Sequence, residues 1–298
     1  MQLYRGGNVL RYEGAVYRPP SEAYSLIIQA TIGCAHNKCT FCNMYKDKTF
    51  RMRSLTEIVE DLEMARKSYR HIKRIFLADG DALALKTEYL KEILVKIKEL
   101  FPECERVGIY SAPRDILRKS KEELKELHEL GLGIAYLGIE SGSENILKSI
   151  NKGVTQEQMI EAGKKMVESG IKLSVTLISG LGGQDLWEEH ALESAKVVNE
   201  INPHYLGLLT LMVEPTVEMH EEIKSGKLKM LTPEQVMLET QLLIENLQVK
   251  GCVFRSNHAS NYIPLEGTLP EDKTRLLNQI KGVIDRGMGF KSDFHRRL

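Results

Sequence analysis

Apolar and polar positions alternate regularly along most of this 298-residue chain. Short runs rich in β-branched and other apolar residues are separated by longer stretches whose apolar residues recur at helical spacing. This alternation is typical of βαβ units, in which helices join parallel strands. The short runs predict an α/β fold with six parallel strands, at residues 25–31, 72–78, 106–111, 134–139, 172–179 and 204–211.

Capping boxes mark the starts of four predicted helices. In a capping box, a hydroxyl side chain accepts from the N3 backbone amide, and the N3 side chain reaches back to the N-cap amide. The four pairs are Ser54/Glu57, Ser120/Glu123, Thr155/Gln158 and Thr232/Gln235. Behind the first box, Ile58, Leu62 and Ala65 fall on one helical face, which predicts a helix packed on the sheet.

The alternation of strands and helices is confined to the middle of the chain. Residues 1–22, which end just after a Pro-Pro pair, predict an irregular opening segment, and residues 23–212 predict the main domain. After residue 212 the pattern changes to a helix at 234–248, a short strand at 252–255 and a final helix near 270–286. We interpret residues 213–298 as a C-terminal extension that completes or caps the main domain.

Charge and composition indicate the expected cellular location and the expected class of partner. The 41 Lys and Arg residues balance the 41 Asp and Glu residues. The overall charge therefore does not favour electrostatic binding to a nucleic-acid backbone or an acidic membrane. No apolar run has the length of a signal peptide core or a membrane span. Three of the five cysteines lie within one short loop, which is a poor disulfide framework. We expect a cytoplasmic protein, and the neutral charge balance disfavours a nucleic-acid partner.

The strongest local signal is the loop that carries Cys34, Cys39 and Cys42, directly after the first predicted strand. In a parallel α/β fold this is the carboxyl edge of the sheet, where active-site loops gather. Thiolates are the usual ligands of iron-sulfur clusters, and three can bind three irons of a four-iron cluster. The fourth iron would then be open to a substrate or cofactor. The same cysteines with His36 also permit a structural zinc site.

At this loop the sequence resembles the radical S-adenosylmethionine (SAM) superfamily, whose usual signature is C-x3-C-x2-C with an aromatic residue before the last cysteine. Phe41 supplies the aromatic residue, and the first gap is one residue longer. The resemblance implies a partial (β/α)6 TIM-like barrel, a four-iron four-sulfur cluster on the three cysteines, and SAM at the open iron. The reduced cluster would cleave SAM into methionine and a 5′-deoxyadenosyl radical, which would attack a small-molecule substrate. An external one-electron donor such as a flavodoxin or ferredoxin is also implied.

Further segments extend the resemblance to the subgroup that contains methylthiotransferases and anaerobic porphyrinogen oxidases. Residues 79–81, at the end of the second strand, stand where the family carries a Gly-Gly-Glu motif for the SAM amino group. Residues 137–143, the Asn-Lys-Gly turn at 151–153 and the glycine-rich turn at 179–183 match other parts of that subgroup, whose accessory domains are not visible here. The resulting candidates for cofactor binding are Asp79, Gly80, Asp81, Arg114, Glu140, Ser141, Ser179 and Gly180.

Local alternatives remain open for several of these residues. Asp81 could cap a helix or turn, Arg114 could have a surface role, and the turn at Gly180 could simply require positive φ.

A dense polar run at residues 255–262 follows the short strand of the extension. Arg255 and His258 could contact a substrate through directional donors, or the run could be a solvated turn. Two other functions stay open, an RNA-modifying member of the superfamily and a non-catalytic zinc or iron-sulfur protein.

Overall fold

The computed structural model describes residues 10–287, 289–292 and 296, so residues 1–9 of the predicted opening segment lie outside the described part. The chain divides into two compact units. The described part of unit 1 covers residues 10–37, 44–137 and 165–172, and that of unit 2 covers 38–43, 138–164, 173–287, 289–292 and 296.

In these described ranges, ten strands form two sheets, one of eight strands and one of two. Their bounds are β1 Leu26–Gln29, β2 Thr31–Ile32, β3 Arg51–Met52, β4 Arg74–Ala78, β5 Arg106–Ser111, β6 Leu132–Glu140, β7 Lys172–Ser179, β8 Tyr205–Thr210, β9 Cys252–Ser256 and β10 Leu265–Leu269. The small sheet is the antiparallel pair β2 and β3. All six predicted strands are present, each with bounds close to those predicted.

The helices follow the strands as the alternating pattern predicts. They are α1 Leu55–Ser68, α2 Thr87–Leu100, α3 Pro113–Arg118, α4 Lys121–Glu129, α5 Glu144–Ser149, α6 Gln156–Glu168, α7 Gly183–Ile201, α8 Glu218–Lys224, α9 Pro233–Asn246 and α10 Lys273–Arg286. All four predicted capping boxes form with reciprocal hydrogen bonds. Within the described residues, no helix has the length and apolar character needed to span a bilayer.

Unit 1 contains parallel strands in the order β1, β4, β5 and β6. The middle of β4, residues 75–77, is completely buried, as expected for a parallel strand covered on both faces. The register pairs Gln29 at the end of β1 with Ala78 at the end of β4. The cysteine loop and the 79–81 loop therefore leave the sheet side by side.

Unit 2 contains the parallel strands β7, β8 and β9, and β10 pairs antiparallel with β9. The extension thus adds two strands beyond β8. Only β9 was predicted from the sequence, because β10 reads Leu-Glu-Gly-Thr-Leu and lacks a β-branched apolar run. The predicted α/β class is confirmed, with a mostly parallel sheet. The domain bounds, including the extension at 213–298, stay a prediction.

Candidate cofactor site

Within unit 1, the loop after β4 lies directly against the start of the cysteine loop. The Gly80 amide donates to the carbonyl of Gly33 at 3.2 Å. Gly33 has a φ of +75°, a conformation that favours glycine. A Cβ at Gly80 would lie 2.9 Å from the Tyr45 ring and 3.3 Å from Cys34 Cβ. Glycine at position 80 therefore permits this close approach to Cys34.

Asp79 is completely buried and fixes the start of the cysteine loop. Its Oδ2 accepts from Gly33 N at 3.0 Å and from Gln29 Nε2 at 3.1 Å. Lys48 Nζ lies 2.9 Å from the same oxygen, and the Lys48 side chain is only 5% exposed. A sequence-predicted cofactor residue thus takes part in a buried ion pair. Lys48 was missed by sequence reasoning, because nothing in the sequence signals its partner 31 residues away.

Asp81 also faces the cysteine loop. Its Oδ2 accepts from the Ala35 amide at 2.6 Å and lies 3.7 Å from Cys34 Sγ. Asp81 precedes a short 3-10 helix at Ala82–Ala84, but its side chain makes no capping hydrogen bond there. The side chain therefore does not cap this helix, and its contact with a cofactor stays a prediction.

Arg114, at the start of α3, lies between two carboxylates. Its Nη2 is 3.8 Å from Asp81 Oδ2, and its Nε is 3.6 Å from Asp115 Oδ1. The Asp115 carboxylate is buried, and neither of its oxygens has a hydrogen-bond partner in the described part of the chain. Burial, and then the charge of Asp81, raise the pKa of Asp115 to about 6. Sequence reasoning missed Asp115 because an acidic residue in the first turn of a helix is ordinary.

Within unit 2, backbone hydrogen bonds hold the second part of the cysteine loop. The Thr40 amide donates to the carbonyl of Ile150 at 3.0 Å, and Met219 donates to the carbonyl of Thr40 at 3.1 Å. The Cys42 amide donates to the carbonyl of Cys39 at 3.4 Å. Residues 39–42 are thus tied to the end of α5 and the start of α8.

Glu140, at the end of β6, forms an ion pair with Lys152 at 2.8 Å. Glu140 has a φ of +64°, which is uncommon for a residue other than glycine. A Cβ on Gly138 would overlap the Glu140 carboxylate, so the side chain folds back only because residue 138 is glycine. The sequence marked Glu140 as a candidate but did not reveal this partner.

Lys152 also lies within electrostatic reach of the cysteine loop. Burial alone would lower the pKa of Lys152. Negative charge on Glu140 and on the thiolates of Cys39 and Cys42 more than offsets that effect and raises its pKa. The Asn-Lys-Gly turn was the sequence signal that could have identified this residue.

The remaining candidates in unit 2 take part in buried hydrogen bonds. Ser141 Oγ lies 2.8 Å from His190 Nδ1. Ser179 Oγ and the Gly180 amide both donate to Glu239 Oε1, at 2.5 and 3.0 Å. Sequence reasoning missed His190 and Glu239, because each lies about 50 or more residues from its partner along the chain.

The polar run at 255–262 is partly structural. Asn261 donates to the carbonyl of Leu208 at 2.8 Å and accepts from Thr210 Oγ1 at 2.9 Å, which anchors the run to β8. Arg255 is 58% exposed and lies 3.7 Å from Glu266 of β10. His258 Nδ1 lies 2.9 Å from Ser260 Oγ. Contact of Arg255 and His258 with a substrate stays a prediction.

Comparison with known proteins establishes the family. The model of the radical SAM superfamily matches residues 28–195, which is more than half of the chain. The chain belongs to the radical SAM superfamily. Proteins of this family bind a four-iron four-sulfur cluster and SAM.

Two relatives show what this chain is similar to. Heme chaperone HemW of Bacillus subtilis is 22% identical over 225 residues, 73% of this chain and 58% of that protein. The tRNA-2-methylthio-N(6)-dimethylallyladenosine synthase of a Sulfurihydrogenibium species is 26% identical over 187 residues, 60% of this chain and 41% of the synthase. In both cases the match spans less than two thirds of the relative.

A solved structure supports the predicted fold. Coproporphyrinogen III oxidase from Escherichia coli, described as a radical SAM enzyme, superposes with a TM-score of 0.57 at 20% identity. The match covers 74% of this chain and 51% of the oxidase. At this identity the likeness shows the fold alone, and it confirms the α/β class predicted from the sequence.

The cysteines present fit the cluster of the family. Cys34, Cys39 and Cys42 are partly exposed thiols on one loop, and each thiolate can bind one iron of a four-iron cluster. Among the described residues, no three His, Cys, Asp or Glu side chains are grouped as ligands of a single metal ion. Metal analysis of the protein separates a cluster from the zinc alternative.

Proposed function

We propose that this protein is a radical SAM enzyme that reductively cleaves SAM at a four-iron four-sulfur cluster and acts on a small-molecule substrate. The observation that carries the proposal is the contact of Asp81 with Ala35 and Cys34, at 2.6 and 3.7 Å. A carboxylate held beside a cluster cysteine suits an ammonium group bound at the adjacent iron. When bound, the cluster supplies one electron to SAM and yields methionine and a 5′-deoxyadenosyl radical.

The side chains of this chain have binding and orienting roles in that proposal. Cys34, Cys39 and Cys42 each hold one iron. Asp81 accepts from the SAM ammonium, and Lys152 provides positive charge for a carboxylate. Charge-assisted hydrogen bonds of this kind are roughly twice as strong as neutral ones, so they can fix the cofactor beside the cluster.

Other predicted cofactor residues support this geometry. Asp79 and Gly80 bring the loop after β4 against the cysteine loop, and Arg114 lies beside Asp81 as a second group for an anionic part of SAM. An external one-electron donor, such as a flavodoxin or ferredoxin, would reduce the cluster.

Anaerobic reconstitution tests the proposal directly. The protein should bind about four irons, and Cys34→Ala, Cys39→Ala or Cys42→Ala should each remove them. Cys104→Ala is the matched control, because Cys104 lies outside the cysteine loop and donates to the carbonyl of Arg106 at 3.5 Å. With dithionite and SAM, the wild-type protein should release 5′-deoxyadenosine.

Three results would contradict the proposal. They are stoichiometric zinc in place of iron, iron that survives all three substitutions, and a full cluster that releases no 5′-deoxyadenosine. Heme binding without SAM cleavage would point to a carrier, the role that the name of the HemW relative indicates for that protein. Stimulation by tRNA, but not by a metabolite library, would instead favour the RNA-modifying alternative.

A further inference from the structure

One buried carboxyl group in unit 2 has no part in the proposed chemistry so far. Glu239 lies on α9, and its side chain is 3% exposed. Its Oε1 accepts both hydrogen bonds from the end of β7, those of Ser179 Oγ and of Gly180 N. Its Oε2 is buried and has no hydrogen-bond partner among the described residues.

The surroundings of Glu239 favour a neutral acid. His190 Nε2 lies 3.9 Å from Glu239 Oε1. Burial lowers the pKa of His190 to about 4, so this imidazole is neutral at pH 7. Burial also raises the pKa of Glu239 to about 8. A neutral carboxyl group costs far less to bury than a carboxylate without a cation.

Gly180 is the point at which β7 ends and the chain turns. Its φ of +91° lies in the region that favours glycine. The Gly180 amide donates to a side chain, Glu239, instead of to a neighbouring strand. The direction of the turn therefore depends on an acceptor supplied by α9.

The same network reaches a second predicted cofactor residue. Ser141, just after β6, is hydrogen-bonded to His190 on α7. The other ring nitrogen of His190 lies 3.9 Å from Glu239 Oε1. Three side chains that are far apart in sequence thus brace two strand ends at which SAM contacts were predicted. A packing role alone would not require a carboxyl group, because an apolar side chain would avoid the orphaned Oε2.

We propose that Glu239 is a positioning residue that holds the Ser179–Gly180 turn in the conformation that receives SAM. This inference rests on the proposed function, because it assigns a role to Glu239 toward the same cofactor. Glu239 acts through Ser179 and Gly180 and makes no chemical step itself. Helix α9 thereby contributes to cofactor binding, although it lies outside residues 28–195, which the family model matches.

Two substitutions at position 239 and one at its neighbour test the proposal. Glu239→Gln keeps a carbonyl oxygen for Ser179 and Gly180, whereas Glu239→Ala removes the acceptor. Thr240→Ala is the matched control, because Thr240 is equally buried and its hydroxyl donates to the carbonyl of Val236 within α9, at 2.7 Å. SAM affinity is measured on each reconstituted protein with equal iron content. Hydrogen exchange of the Gly180 amide is followed in the cluster-free protein.

Glu239→Ala should weaken SAM binding about 10-fold, the effect expected for two lost hydrogen bonds. It should also speed exchange at Gly180. Glu239→Gln and Thr240→Ala should leave both readouts near wild type. Wild-type SAM affinity in Glu239→Ala would overturn this inference but not the proposed function. A Glu239→Gln variant that binds SAM as weakly as Glu239→Ala would do the same. Reconstituted wild-type protein that binds no SAM would overturn the proposed function and the inference with it.

Discussion

The ammonium of Lys152 lies 2.8 Å from Oε1 of Glu140, and each side chain is less than 15% exposed. The pair joins the end of β6 to the Asn-Lys-Gly turn after α5. It requires a left-handed backbone at Glu140 and glycine at position 138. Such local strain persists only where surrounding structure enforces it, and it is concentrated at functional sites.

Lys152→Met should weaken SAM binding and lower stability, because it removes a cation and leaves Glu140 buried without a partner. Breaking a fully buried pair costs about 3–5 kcal/mol, and the partial exposure here reduces this to roughly 1–3 kcal/mol. Urea unfolding and SAM titration measure the two effects. The double variant Lys152→Met/Glu140→Gln should recover stability but not SAM affinity. Recovery of both would mean that the pair is purely structural.

The buried pair of Lys48 and Asp79 should stabilise the protein more than an exposed pair does. Asp79→Asn leaves the Lys48 charge without an anion, and we expect a loss of about 3–5 kcal/mol in the free energy of unfolding. Glu105→Gln is the control, because Lys73 and Glu105 are each about 60% exposed and such pairs are worth about 0–1 kcal/mol. Equal effects of the two substitutions in urea unfolding would contradict this expectation.

Asp81→Ala should weaken SAM binding without loss of the cluster. A hydrogen bond to a charged group is worth about 1.5–3 kcal/mol, which corresponds to about 10- to 150-fold in affinity. Iron content and SAM affinity are measured on the same preparation. An unchanged affinity at full iron content would show that Asp81 only holds the Ala35 amide.

Replacement of both Arg255 and His258 with Ala should leave the substrate-independent cleavage of SAM near wild type. If these residues contact the substrate, stimulation of 5′-deoxyadenosine release by cell extract should fall about 5- to 30-fold, the effect of losing two partly exposed polar contacts of about 0.5–1 kcal/mol each. Arg255 is mostly exposed and lies 3.7 Å from Glu266. Arg255→Ala alone should therefore cause the smaller part of the fall in stimulation. Wild-type stimulation in the double variant would place the substrate elsewhere.

Stability should depend on pH through Glu239. Its folded-state pKa is raised from 4.5 to about 8, so the folded protein binds more protons than the unfolded chain between these values. Stability therefore falls as pH rises through this window. Glu239→Gln lacks this titration, and its stability relative to wild type should increase between pH 5 and 8 by on the order of 1–4 kcal/mol. Buried Asp115 titrates in both proteins and cancels in the difference, which urea unfolding at each pH measures. A difference that stays constant with pH would contradict the raised pKa.

The sequence by itself determined the four helices that begin with capping boxes, the six central strands and the cysteine loop. Capping boxes are local, since their partners lie three residues apart, so Ser54 and Glu57 identify each other without tertiary information. Strands such as β5 and β7 are buried on both faces or alternate regularly, so their residue types reveal them. The spacing of Cys34, Cys39 and Cys42 is likewise a property of one short segment.

Only the tertiary structure decided which side chains meet at the ends of the strands. Asp79 was predicted beside a cofactor, but its pairing with Lys48 depends on how the cysteine loop folds back. Glu239 carries no local signal, because a glutamate within a helix is ordinary until packing buries it against Gly180. Burial and long-range pairing arise from the arrangement of the whole chain. The pKa values of Asp115 and Glu239 therefore could not be predicted from the sequence around them.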